Sequence, residues 1–355
     1  MTHSPTPSPS RAPQPQFYDI ISAAFARAAP PVCANAPIAF VEYLPSAWET
    51  EWAAGINESA WAADPCGKLR EPHHQKLMQR WLDISIPLNN PAWPSAPALE
   101  ADPGHDVLSR MAYTDARSGE RIEYAIEPLA GILRDPRSVC LDIPHGLTPD
   151  NSNVQSREFL VIDPRAARDT VAQLAAAPRK RRAILFDLGT SGWDSGSWPG
   201  LRLLYEHYAA AGIVFTDIYA WEAKPVDPAT FYGSMPHDVA GAMHFFNVPV
   251  DDSVESASNP LLILRAIAQH DDFVVIKLDI DAFQGSGASL EERLALGILD
   301  SPALACLVDE MYFEHHVQNE AMRVMHWGNA PHSIYASLRM FQAFRRMGIR
   351  MHSWP

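Results

Sequence analysis

Cysteine is scarce in this chain: there are four in 355 residues, and no two form a CxxC pair. Cys33, Cys66, Cys140 and Cys306 are too scattered for a zinc ribbon or a dense disulfide framework, so buried free thiols are expected. Positive charge is also short, 28 Lys and Arg against 42 Asp and Glu, for a formal net charge of −14. General binding to nucleic acid or an anionic membrane needs basic surface, and one basic run, Arg179–Arg182, does not supply it. No apolar run nears the ~20 residues that span a bilayer. The first residues lack the apolar stretch of a secretory signal, which predicts a soluble chain, cytoplasmic by default.

What is present is globular composition, 47% hydrophobic and 20% charged, with enough length for a large core. Residues 1–16, rich in Ser, Pro and Gln, read as a disordered tail. Residues 17–105 form an irregular helical region rich in Trp and Pro, with helices over 17–29 and around 47–54 and 74–82. Its tryptophans are read mainly as packing, and His73-His74 as surface. Residues 106–179 carry a hairpin, 111–114 with 121–126, then a polar loop over 127–137, a strand at 159–162 and a helix ended by Pro178. From 180 to 355 short apolar strands alternate with helices, one of which takes Ser197 as its N-cap.

That alternation predicts an α/β class, a doubly wound and mostly parallel sheet in which ligands bind outside the carboxyl ends of the strands. Acids recur at those ends. Asp187 follows Ala183–Phe186, Glu222 follows Val214–Trp221, Asp251 follows His244–Val250, Asp279 and Asp281 follow Phe273–Leu278, and Glu314 lies in a long strand over 305–316. After Asp187, Gly189 and Gly192 let backbone N–H groups approach a ligand. Glu222 is placed to accept hydrogen bonds from both hydroxyls of a ribose, and Asp251 to receive an adenine amino group.

The segments LFDLGTSGWDSGSW, IYAWEA, FFNVPV, FVVIKLDIDAF, LVDEMYFEHHV and GIRMHSWP resemble a group of algal and protist proteins with a methyltransferase-like domain. More distantly, the chain is similar to S-adenosylmethionine-dependent methyltransferases of the FkbM type. The resemblance covers roughly 110–355. It implies a Rossmann-like, class I methyltransferase-like domain and S-adenosylmethionine as cofactor, with Asp187, Gly189 and Glu222 as contacts. It also implies a terminal antiparallel strand pair, of which one strand is legible. If the acceptor is a hydroxyl, a base is needed, and Asp279, His315 and His316 are the candidates. The acceptor itself reads only as a small molecule or glycan, and the oligomeric state is silent.

Two other readings stand beside this one. Asp279-Ile280-Asp281 has the form of the DxD element by which glycosyltransferases hold a divalent cation and a nucleotide sugar, with Glu314 and a histidine completing the shell. Strand alternation places Glu314 with His316 and sets His315 opposite. A binding protein that kept the fold and lost the chemistry is the third reading.

Overall fold

The computed structural model describes residues 31, 33, 38–56, 64–88, 104–116, 118–131, 133–139, 156–176, 181–194, 200–281, 288–317 and 333–355. The tail at 1–16, the helix over 17–29, Ser197 and Cys140 lie outside these residues. Strands β1 (Ile38–Leu44), β2 (Ser109–Asp115) and β3 (Arg121–Ile126) form an antiparallel sheet in that order. The β2–β3 hairpin matches the sequence reading. β1 lies where irregular structure was expected, because its alternation is blurred by Val41 facing solvent on a sheet edge.

The second sheet contains β4 (Ala183–Leu188), β5 (Asp217–Trp221), β6 (Met243–Phe246), β7 (Phe273–Leu278), β8 (Glu310–Phe313) and β9 (Arg350–Ser353). Its spatial order is β6-β5-β4-β7-β8-β9, and every pairing is parallel. The chain builds outward from β4 through β5 to β6, returns to lay β7 on the other side of β4, and continues outward to β9. This is a doubly wound α/β sheet whose order reverses between β4 and β7. β4 and β7 are buried at every position, as central strands of a sheet flanked by helices must be. The last strand pairs with β8 in parallel, so no antiparallel terminal pair occurs among the described residues.

Two predicted strands are corrected. Phe159–Ile162 is not extended; it is apolar because it is buried, with the Phe159 carbonyl accepting from Trp81 Nε1 at 2.9 Å. The run from 305 begins inside a short helix, Pro302–Ala305, capped by Ser301, and only 310–313 is strand. Glu314, His315 and His316 therefore lie beyond the strand end.

The helices α1 (Ala47–Ile56) and α2 (Pro72–Leu88) match the expected pieces, and their Trp48, Trp52 and Trp81 are buried in the same core as the parallel sheet. His74 is buried with them, contrary to the surface reading, because its ring accepts from Trp48 Nε1 at 3.1 Å. Beneath the sheets runs a buried ionic network. Arg345, from the helix α3 (Ile334–Arg346), donates to the Tyr43 hydroxyl at 2.9 Å and to Glu127 Oε1 at 2.9 Å. Glu127 also holds His352 Nδ1 at 2.9 Å, and His352 Nε2 reaches Glu310 Oε1 at 2.8 Å. These bonds tie the antiparallel sheet region to β8 and β9. A disulfide does the same elsewhere: Cys33 and Cys306 are bonded, with Cα atoms 5.3 Å apart. This corrects the expectation of free thiols for those two.

Candidate active site

Parallel register levels the strand ends. Leu188 pairs with Leu278, Leu278 with Phe313, and Phe313 with Ser353. The ladder continues one residue further, with the amides of Asp279, Glu314 and Trp354 donating to Leu188, Leu278 and Phe313. Gly189, Asp279, Glu314 and Trp354 thus form a row across the carboxyl edge, beside the point where strand order reverses.

Lys277 anchors the row. Its Nζ lies 3.0 Å from Asp187 Oδ1, 3.0 Å from Asp279 Oδ2 and 3.2 Å from the Gly189 carbonyl. Burial opposes its charge, but Asp187 and Asp279 outweigh burial and raise its pKa. Asp187 is fully buried beneath the turn, so it serves as the floor of the edge. The turn itself is committed to the fold: the Gly189 and Thr190 amides both donate to the Trp221 carbonyl, at 3.1 and 2.9 Å. Gly189 has φ +92°, and a Cβ there would lie 1.6 Å from the Asp279 carbonyl oxygen, so close passage across β7 requires glycine. Gly192, also at positive φ, is buried in the same turn.

Asp279 is bound by Trp354 Nε1 at 3.1 Å as well as by Lys277. Burial and the neighbouring Glu314 carboxylate raise its pKa well above the usual range, against the pull of Lys277. Burial would raise Glu314 too, but His316, Arg134 and the hydrogen bond from Asp279 hold it low. The two carboxyls therefore compete for one proton, for which Asp279 has the higher affinity. Arg134 fixes Glu314 through a 2.6 Å bond to Oε1, and Arg157 stacks over the Trp354 ring at 4.2 Å.

His316 Nε2 lies 3.4 Å from Asp281 Oδ1 and 3.6 Å from Glu314 Oε2. Burial lowers its pKa, but those two carboxylates dominate and bring it up to about 9. His315 faces away, as alternation predicts, with Nδ1 2.7 Å from Ser337 Oγ and Nε2 2.7 Å from Glu292 Oε1. Its ring holds the loop to its neighbours and lies off the proton-sharing pair. A hollow lined by Ser289, Glu291, Glu292, Phe313, Glu314, His315 and His316 opens here.

On the other side of β4, Glu222 sits half-buried after β5, where its Oε1 accepts the Lys224 amide at 2.6 Å. Asp251 accepts from the Ser253 amide at 2.9 Å, a bond that holds its pKa down. The structure thus places Glu222 after β5, to one side of Asp187 and Gly189, and a second group, Asp279, Asp281, Glu314 and His316, after β7 and β8, to the other. Asp251 lies beyond the end of β6 at Phe246, in a loop whose Asp252 pairs with Arg293 at 2.6 Å, and so is not at the strand end expected for it. Arg134, Arg157 and Trp354 complete the second group. The polar loop over 127–137 hinted at Arg134, whereas no spacing pointed to Arg157.

As a test of fit, Glu222 suits a ribose, having a partly accessible carboxylate at the end of β5. Asp187 and the first two turn amides do not offer direct contacts, being spent on Lys277 and Trp221. A second histidine–carboxylate group, Glu51, His73 and His74, is unsuited to a metal ion. The Trp48 N–H occupies His74 Nδ1, so the neutral ring carries its proton on Nε2, the atom that faces Glu51. No protein-family model, no curated protein and no solved structure matches the chain.

Proposed function

We propose that the chain is an S-adenosylmethionine-dependent methyltransferase acting on a hydroxyl of a small molecule or glycan. The observation that carries this reading is the division of acids about the strand-order reversal. Glu222 stands on the β5 side, where ribose hydroxyls need an acceptor, and the proton-sharing pair Asp279–Glu314 stands on the β7–β8 side. The domain would then be Rossmann-like and methyltransferase-like without an antiparallel strand among its described residues.

When bound, the cofactor supplies an electrophilic methyl on a sulfonium. Glu222 would hold its ribose and Asp251 its adenine amino group, with the turn at Gly192 beside them; Asp187 and Gly189 would support that turn from beneath. In its ionised form, which Lys277 stabilises at 3.0 Å, Asp279 would take the acceptor's proton, and of the two carboxyls it holds a proton the more tightly. Glu314, clamped by Arg134, would keep Asp279 oriented through their shared hydrogen bond.

Calorimetric titration of two variants with S-adenosylhomocysteine tests this division. Glu222→Gln should weaken binding by roughly tenfold, about 1.4 kcal/mol, while thermal stability stays unchanged. Asp279→Asn should keep the affinity and lose methyl transfer by about 10²–10⁴-fold. Unaltered affinity in Glu222→Gln would remove that carboxylate from the site.

A further inference from the structure

We propose that Asp281, Glu314 and His316 form a binding site for one divalent transition-metal ion, a site that the methyltransferase reading does not require. One donor atom from each lies within 4.8 Å of the others, and the histidine nitrogen stands 3.4 Å from Asp281 Oδ1 and 3.6 Å from Glu314 Oε2. Two donors each bonded at ~2.1 Å to a tetrahedral ion are roughly 3.4 Å apart, which is close to the spacing of His316 from each of the two carboxylates.

The surroundings suit an ion. Glu314 is oriented by Arg134, whose 2.6 Å bond takes Oε1 and turns Oε2 towards His316, the kind of outer support that metal ligands use. Glu314 and His316 line the hollow beside the helix Leu290–Leu299, capped by Ser289, and the Asp281 side chain is 76% exposed, which leaves an entry path. Asp279 is not among the donors gathered within 4.8 Å, and Lys277 and Trp354 hold its Oδ2 at 3.0 and 3.1 Å. The site is therefore not the Asp279–Asp281 pair that a DxD element would use.

The donor set names the class of ion. Two carboxylate oxygens and one imidazole nitrogen favour a borderline cation such as Mn²⁺ or Zn²⁺ over Mg²⁺ or Ca²⁺, which prefer oxygen alone. Three protein donors leave further positions for water or an acceptor oxygen. An ion there would lie next to the Asp279–Glu314 pair.

Chelator-treated full-length protein titrated with Mn²⁺, followed by electron paramagnetic resonance, provides the test. Saturable binding of one ion per chain is expected. His316→Ala and Asp281→Asn should each weaken it by at least about tenfold, the scale at which even outer-shell partners act. His73→Ala, in the cluster judged unsuitable, should leave it unchanged. Asp281→Asn alters an exposed side chain, so its thermal midpoint should match wild type and separate loss of binding from loss of fold. Absence of saturable binding, or binding indifferent to both the His316 and Asp281 variants, overturns the proposal.

Discussion

Single residues at the carboxyl edge divide by whether their charge is spent on the fold or left for a ligand. Asp187 is spent: it is fully buried and neutralises Lys277 at 3.0 Å. Glu222 is half-buried and its Oε1 accepts from a local amide, that of Lys224. Removing one partner of a buried ion pair costs about 3–5 kcal/mol, because the other charge stays behind. Asp187→Asn should therefore lower stability by about 3 kcal/mol, as read by urea unfolding. Glu222→Gln should leave the same curve within about 0.5 kcal/mol. Equal losses in the two variants would erase the distinction. The sequence showed both acids at strand ends but could not separate them, since burial at a strand end depends on what the neighbouring strand projects. Lys277 supplies that difference.

At the level of elements, the joins between the two sheets were the least legible. Parallel strands announce themselves as apolar runs, and helix ends as caps, so β4, β5, β7 and the helices of the second half followed from local pattern. The partners of Glu127 did not, because Arg345 and His352 lie more than 200 positions away. Long-range pairing leaves no periodic signal, and the same is true of the disulfide between Cys33 and Cys306, 273 residues apart. Cys33→Ser should reduce stability by about 2–4 kcal/mol, and mass spectrometry after alkylation without reductant should find those two thiols blocked. The ionic network makes a pH-dependent contribution. Burial lowers the His352 pKa, but Glu127 and Glu310 raise it above 6.5, so its share of stability is full below that value and lost as pH rises through the folded pKa. Burial raises Glu310, but Arg350 and His352 bring it down to about 2 from 4.5, so its share is full above 4.5 and lost as pH falls towards 2. Both act together between about pH 4.5 and 6.5, the window in which His352→Phe should lose most stability relative to wild type in urea titrations. A difference that grows above pH 8 would contradict this assignment.

For the whole molecule, the doubly wound sheet with its reversal between β4 and β7 is what turns scattered acids into a site. The α/β class and the gathering of acids at strand ends were readable because alternation and strand length are local properties. The order of strands was not, and neither was the parallel last strand, which lies beside β8 where the family resemblance implied an antiparallel pair. The described tryptophans of the front region, Trp48, Trp52 and Trp81, pack into one core with the sheet, as the reading of them as packing expected. No described helix is long and apolar enough to cross a membrane. At this scale the central claim is that a nucleoside cofactor binds on the β5 side of the reversal. Calorimetric titration of the purified wild-type chain with S-adenosylhomocysteine tests it most directly. The account predicts saturable binding at one molecule per chain without added metal. No binding by the folded protein, alongside manganese-dependent binding of a nucleotide sugar, would contradict it.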